Sequence, residues 1–143
     1  MEVREFRRAA RQLLFWKRGE QVLNQLTTPW AIITVAANGN FSTFSPELLS
    51  MTNLHYGDFI LGNLASGTVD VNKAGKMYRD IQSGILLCAQ SCEYFSLCGG
   101  GAPSNKIFEN GTFISAETLY CQLSRKALID AAIESLQFEL SIL

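Results

Sequence analysis

Four cysteines, the side chains of this chain best suited to binding a metal, lie in one stretch between positions 88 and 121. They are Cys88, Cys92, Cys98 and Cys121, and the first 87 residues contain none. Because thiolates are soft, negatively charged ligands, four of them can hold one tetrahedral metal ion or a cubane iron–sulfur cluster. Three glycines, residues 99–101, follow Cys98 directly. Without side chains there, backbone N–H groups can turn towards a negatively charged ligand set.

The residues alone leave more than one use for these cysteines. Disulfides require an oxidising compartment, and the N-terminal residues, which include Glu2, Arg4 and Arg7, contain no apolar signal core. Structural zinc favours short knuckles with two residues between the cysteines, whereas the gaps here are three, five and twenty-two residues. An iron–sulfur cluster tolerates wider and uneven gaps. Spacing therefore disfavours disulfides and leaves zinc and a cluster open.

The cysteine stretch also resembles a known family, the SPASM domain. This domain is the C-terminal extension of radical S-adenosylmethionine (SAM) enzymes that modify peptides. The resemblance covers residues 28–130 and includes upstream segments at residues 38–48 and 57–63. In the cysteine stretch it is carried by Asp80, Gly84, Cys88, Cys92, Glu93, Tyr94, Phe95, Cys98, Gly99, Gly100, Gly101, Asn105, Lys106, Glu109, Asn110, Gly111, Thr112, Phe113, Glu117, Thr118, Tyr120 and Cys121.

The resemblance implies one auxiliary [4Fe–4S] cluster with the four cysteines as ligands. Full SPASM domains carry a second auxiliary cluster, but Ala102 stands where one of its cysteines is expected, so we expect a single cluster. The catalytic C-x3-C-x2-C motif of radical SAM enzymes is also incomplete, because Phe95 occupies its third position after Cys88 and Cys92. The chain is too short to add the catalytic barrel, so we expect it to be inactive towards SAM by itself.

Other residues near the cysteines are expected to surround the cluster. Tyr94 and Phe95 are predicted to shield it, and the glycines at 99–101 to donate backbone hydrogen bonds to its sulfurs. Lys106 is predicted either to offset the negative charge of thiolate ligands or to be an ordinary surface lysine. Four protein thiolates would fill all four irons of a cubane. The expected role is therefore electron relay or structural support, with no iron left for substrate.

The N-terminal residues predict an amphipathic helix from residue 2 to about 26, followed by a second domain at 28–143. Residues 1–18 hold six basic and two acidic side chains, and their apolar residues recur at helical spacing. One interpretation is a helix that packs on its own chain with its basic face in water. The alternative is a docking helix for a partner or an acidic peptide, in which Phe6, Arg7, Arg11 and Trp16 form the contact.

The remaining pattern predicts an α+β fold with a small sheet and flanking helices around a cysteine-rich loop region. We expect a hairpin with strands 30–36 and 41–44 around an Asn-Gly turn, a short helix from Ser45, a strand at 58–61 and a turn at 62–63. A helix is predicted from Val69 to Ser83 with Gly84 as its C-cap. Residues 107–114 are predicted to form a second hairpin, and residues 116–140 the last helix.

These observations lead to two function classes. The first is an auxiliary-cluster subunit that forms a heterodimer with a radical SAM catalytic protein and modifies a ribosomally synthesised precursor peptide. Excision of a tyrosine-derived unit from the backbone is one candidate chemistry. The start at Met1 favours an independent polypeptide. The second class is a binding module that zinc or a cluster merely stabilises. A net charge of −1 and the absence of a long apolar run predict no nucleic-acid or membrane partner, and we expect a cytoplasmic location.

Overall fold

The computed structural model describes residues 3–17 and 22–141, which form a mixed fold of helices and small antiparallel sheets. The α+β class predicted from the sequence is confirmed. Within the described ranges, no helix has the length and apolar character that crossing a membrane demands.

The N-terminal helix, α1, is shorter than the sequence pattern predicts. It spans Arg4–Phe15, and Trp16 after it has an extended backbone. Residues 18–21, which the prediction also placed in the helix, lie outside the described residues. A separate 3-10 helix, Gln25–Thr27, follows. The buried face of α1 is centred on Ala9, and the helix packs against the last helix of the chain.

Two antiparallel sheets follow, and the first confirms the predicted hairpin. Asn38 and Gly39 form the turn, with Gly39 at a positive φ of 86° that costs glycine little. The predicted strand at 58–61 is wrong, since only Asp58 of this segment lies in a strand and residues 59–61 connect two strands. The predicted turn at 62–63 is itself a strand. The strands are β1 Ile33–Val35, β2 Asn40–Thr43, β3 Thr52–Asn53, β4 Gly57–Asp58, β5 Gly62–Asn63 and β6 Thr68–Val69. The order in the larger sheet is β1-β2-β5-β6, and β3 pairs with β4.

A short helix and a long one come next. The 3-10 helix Pro46–Ser50 starts after Ser45, as predicted. Helix α2, Val71–Ser91, starts where Asp70 accepts a hydrogen bond from the N–H of Lys73. It does not end at Gly84, as predicted, but continues to the cysteines.

Gly84 has a packing role, which explains why the predicted C-cap is wrong. A Cβ atom at this position would lie 2.1 Å from the carbonyl oxygen of Phe113. Glycine therefore lets the backbone of α2 touch the backbone of residues 113–115. The residue marks a close approach of two segments, and the helix passes through it.

Residues 103–110 form a helix, so the hairpin predicted at 107–114 is wrong. Pro103 occupies the first turn of α4, Pro103–Asn110, and Gly111 ends the helix with a left-handed φ of 72°. The Asn110-Gly111 pair, which we interpreted as a hairpin turn, is thus a helix C-terminus. A one-turn helix, α3 Phe95–Cys98, precedes α4.

The C-terminal helical region begins at Leu119, three residues later than predicted. It consists of α5 Leu119–Cys121, a π-helical segment Gln122–Lys126 and α6 Ala127–Ser141. The main core joins the sheets to α2 and α4. Its buried members are Phe41, Phe44, Leu48, Phe59, Leu61, Met77, Ile81, Ile107 and Phe113.

Two glycines of α2 provide a matched test of this packing. We expect Gly84→Ala to lower the free energy of unfolding by about 2 kcal/mol or more, because the new methyl group must displace backbone. Gly75→Ala in the same helix meets only the end of the Arg79 side chain at 3.5 Å. It should be stabilising by up to about 1 kcal/mol through helix propensity. Urea unfolding measures both, and equal effects would refute the close approach.

Candidate metal centre

All four cysteines line a single pocket between the end of α2, α3, the start of α4 and the π-helical segment. The pocket contains about 480 Å³ of empty space, its open mouth included. Its remaining lining residues are Ser91, Phe95, Gly100, Gly101, Ala102, Lys106, Ala116, Glu117, Thr118 and Lys126. The fold thus brings together side chains that are separated by up to 33 positions in the sequence.

Cys88 forms the buried side of the pocket. It lies in the last turn of α2 and is 8% exposed. Its Sγ accepts a hydrogen bond from Nζ of Lys106 at 3.3 Å and lies 3.4 Å from the carbonyl oxygen of Ala116. Three segments therefore hold this sulfur in place.

Cys92 and Cys98 stand at the ends of helices and are half-buried. The N–H of Cys92 donates to the carbonyl of Cys88, which closes α2. Cys98 is the last residue of α3, and its N–H donates to the carbonyl of Tyr94. The chain between these cysteines is a tight turn followed by one helical turn.

Cys121 is positioned by capping interactions at the start of the C-terminal helical region. Its N–H donates to Oγ1 of Thr118 at 3.1 Å. The carboxylate of Glu109, reaching across from α4, accepts from the N–H groups of Leu119 and Tyr120. The π-helical segment begins immediately after Cys121, and such segments are frequent at functional sites.

The glycine triplet forms a left-handed connection beside Cys98. Gly99, Gly100 and Gly101 have φ angles of 65°, 94° and 73°, a run that residues with side chains rarely adopt. The side-chain N–H₂ of Asn24 donates to the carbonyl oxygens of Gly101 at 2.7 Å and Gly99 at 3.4 Å. The segment before β1 therefore anchors this connection.

The six residues predicted around the cluster occupy different places. Phe95, Gly100, Gly101 and Lys106 line the pocket. Gly99 lies outside this lining, and its N–H donates to the carbonyl of Phe95 and not to a cysteine sulfur. Tyr94 also lies outside it.

The hydroxyl of Tyr94 donates to the carboxylate of Asp130 on α6. This hydrogen bond, followed by burial, raises the pKa of Tyr94 to about 12. Tyr94 therefore ties the turn after α2 to the C-terminal helix.

Two lysines supply positive charge to the pocket. Lys106 is 4% exposed, so the surface-lysine interpretation of this residue is wrong. The ammonium of Lys126 pairs with the carboxylate of Glu117 at 2.7 Å. This hydrogen bond is the main reason that the pKa of Lys126 is raised, and the nearby Cys92 and Cys121 add to it.

The cysteine side chains influence one another. Burial is the main cause that raises the pKa of the Cys121 thiol, and the charges of Cys98 and Cys92 raise it further. The sulfurs of Cys98 and Cys92 are thus close enough to Cys121 for their negative charge to oppose its ionisation. A metal or cluster would relieve this repulsion, because it stabilises thiolates.

The thiols surround a space and do not meet at a point. Within residues 3–17 and 22–141, no three His, Cys, Asp or Glu side chains are grouped tightly enough to hold one metal ion. The donor set still fits a thiolate-bound metal group, since four cysteines and two lysines face a common pocket. Cys88, Cys92, Cys98 and Cys121 are the residues that would hold it.

The residues predicted for partner docking lie on α1 and just after it. Phe6 is half-buried, Arg7 and Arg11 are exposed, and Trp16 is 38% exposed. The helix also packs within its own chain, as Gln12 donates to the carbonyl of Leu97, next to Cys98, at 2.6 Å. Self-packing and a docking surface are therefore compatible, and the docking role stays a prediction.

Sequence reasoning gave no role at the site to four residues that shape it, namely Asn24, Glu109, Thr118 and Lys126. Thr118 lies three residues before Cys121, a spacing that fits an N-cap and was available in the sequence. Glu109 and Asn24 act on segments 10 and 75 or more residues away. No local pattern could have identified these two long-range contacts.

A comparison with known proteins shows what part of the chain resembles. An uncharacterized protein of Synechocystis sp. is 41% identical over 121 residues, which make up 82% of this chain and 30% of the relative. The chain thus spans less than a third of that protein's length. No protein-family model matches the chain, and no solved structure matches it. Fold and site together define a small α+β protein with a four-cysteine pocket, similar to one part of a longer protein.

The carboxylate of Glu109 generates a stability prediction. We expect Glu109→Ala to cost about 1 kcal/mol, because two N–H groups at the start of α5 lose their acceptor. Glu109→Gln keeps an acceptor oxygen and should cost less. Glu134→Ala, at an exposed position of α6, serves as the control and should change little. Denaturant unfolding compares the three, and a cost for Glu109→Ala no larger than the control would contradict the capping role.

Proposed function

We propose that this protein is an auxiliary iron–sulfur subunit of a radical SAM peptide-modifying system. Cys88, Cys92, Cys98 and Cys121 hold one [4Fe–4S] cluster. A separate radical SAM catalytic protein pairs with the chain as a heterodimer and acts on a ribosomally synthesised precursor peptide. The observation that carries the proposal is the common pocket of four cysteines, which are all the cysteines of the chain.

The shape of the pocket supports a cluster over zinc. A zinc ion draws all four sulfurs to about 2.3 Å from one point. A cubane accepts sulfurs that stand further apart, because each binds a different iron. The four cysteines line one pocket, and among the described residues no three of them are grouped closely enough to hold a single ion. This arrangement is the reason that the proposal takes a cluster before zinc.

The protein's own groups suit a negatively charged cluster. Lys106 and Lys126 bring two ammonium groups to the pocket wall, which offset charge on the thiolates. Phe95 and Ala102 contribute apolar wall that limits water. When bound, the cluster supplies one-electron redox chemistry. Four cysteine ligands occupy all its irons, so these residues hold it as a relay or a support and not as a substrate-binding centre.

A catalytic partner is part of the proposal because of what the chain's motif lacks. Phe95 stands where the third cysteine of the SAM-binding motif belongs. The relative in Synechocystis sp. extends well beyond the matched part. That polypeptide therefore has further sequence beside this kind of segment, and here we propose that a partner supplies the catalytic domain. A SPASM-like fold and a cytoplasmic location belong to the same proposal.

Metal analysis of the purified protein tests the cluster. We expect a brown protein that absorbs near ~400 nm, as thiolate-ligated iron–sulfur clusters do. Replacing any one of the four cysteines by alanine should remove most of the iron. It should also destabilise the fold by more than about 3 kcal/mol, because metal-binding free energy is also folding free energy. Ser91→Ala is the matched control, as Ser91 lines the same pocket but is not a proposed ligand.

Two results would contradict this assignment. If a cysteine variant retains its full iron content, the replaced cysteine is not a ligand. If the purified protein is colourless and contains one zinc per chain, the cluster assignment is wrong. The alternative, a binding module that zinc stabilises, then takes its place.

Turnover of SAM tests whether a separate catalytic partner is required. The reduced, iron-loaded chain should yield no 5′-deoxyadenosine from SAM, because Phe95 cannot complete the motif. Addition of a radical SAM partner and its precursor peptide should give 5′-deoxyadenosine and a modified peptide, and the Cys88→Ala variant should lower that yield. The control is the partner with peptide alone. Turnover by the isolated chain above a cysteine-free variant would overturn the proposal.

A further inference from the structure

Lys106 is the charged group most closely associated with the cysteine pocket. Its side chain is 4% exposed, and its Nζ donates to the carbonyl oxygen of Gly84 at 2.7 Å and to Sγ of Cys88 at 3.3 Å. Lysine is almost never fully buried unless it is paired. The ammonium has left water for a site where its two partners are a helix carbonyl and a sulfur.

The surrounding fold is shaped to admit this side chain. A Cβ at position 84 would lie 3.2 Å from Nζ of Lys106 and 2.1 Å from the carbonyl oxygen of Phe113. Glycine at 84 thus opens the space in which α4 delivers the lysine to α2. Pro103 starts α4 and Gly111 ends it, so the helix has a defined start and end on either side of Lys106.

The end of α2 is an unfavourable place for negative sulfurs. The helix has 21 residues, and its C-terminus carries partial negative charge from unsatisfied carbonyl groups. Cys88 lies in its last turn, and Cys92 ends it. Thiolates there add negative charge to that of the helix end. The buried ammonium of Lys106 beside Cys88 offsets the charge of both the helix end and the thiolates. Its attraction to them is strong because the buried surroundings have a low dielectric constant.

We propose that Lys106 is a positioning residue that raises the reduction potential of the bound cluster, acting through the sulfur of Cys88. This inference rests on the proposed function. Reduction passes one electron from an external reductant to the cluster, with no bond made or broken, so the net negative charge of cluster and ligands grows by one. A nearby positive charge favours that change.

Lys126 provides an internal comparison. It lines the same pocket, but its side chain is 26% exposed and pairs with Glu117. Water and the carboxylate both screen its charge. Its influence on the cluster is therefore weaker than that of Lys106.

Potentiometric titration of the full, anaerobically loaded protein tests the inference, with electron paramagnetic resonance of the reduced cluster as the signal. Lys106→Met and Lys106→Gln remove the charge, and Lys106→Arg keeps it. Lys126→Met is the comparison variant, because it removes a charge that water and Glu117 already screen. Lys73→Met is the distant control, because 15 residues of helix place it about 22 Å along the axis from Cys88.

We expect the midpoint potential to become more negative in Lys106→Met and Lys106→Gln, and by less in Lys126→Met. Lys106→Arg should stay near the wild type, and Lys73→Met should be unchanged. A purely structural lysine would not produce this dependence on charge.

Several outcomes would overturn the inference. If Lys106→Met or Lys106→Gln holds a cluster with the potential of Lys73→Met, Lys106 does not set the potential, while the proposed function stands. If both variants fold but hold no cluster, Lys106 serves assembly alone. If the wild-type protein holds zinc and no cluster, the proposed function and this inference fail together, and the titration shows no redox signal.

Discussion

The contact between the backbones of α2 and residues 113–115, which Gly84 permits, is the constraint on which the cysteine pocket depends. It fixes the last turns of α2, and thereby Cys88, against the segment that leads to Cys121. The same opening admits Lys106, whose ammonium bonds both the Gly84 carbonyl and the Cys88 sulfur. A side chain at 84 would push apart the wall that carries the first cysteine and the wall that leads to the last.

Local chemistry made several features predictable. Cysteines are rare and chemically distinct, so their concentration between 88 and 121 predicted that they lie together, and the fold brings all four to one pocket. Asn38 and Gly39 predicted the first turn because few residue pairs accept its backbone angles. Pro46 after Ser45 marked a helix start for an equally local reason. In each case the physical cause lies within a few residues of the signal.

The errors occurred where two interpretations share one local signal and a distant contact decides between them. Glycine is the residue type typical of a C-cap, but the carbonyl of Gly84 accepts a hydrogen bond from a lysine 22 residues away, and the helix continues. Asn110 and Gly111 suit a hairpin turn or a helix end equally, and Pro103 together with the core contact of Ile107 favours the helix. The burial of Lys106 arises from these same long-range contacts, so sequence spacing could not reveal it.

The pocket has a buried side and an accessible side, and this asymmetry bears on how it works. Cys88 and Lys106 form the buried side, where water cannot screen charge. Cys98 borders two further clefts, one lined by Asn24 and the other by residues of α1 and α6. Cys98 therefore lies on the accessible side of the pocket, together with Cys121, which borders the first of these clefts. The basic helix α1 packs beside Cys98, where Gln12 donates to the carbonyl of Leu97, so the positive charge of α1 lies on the accessible side of the pocket and the buried ammonium of Lys106 on the other.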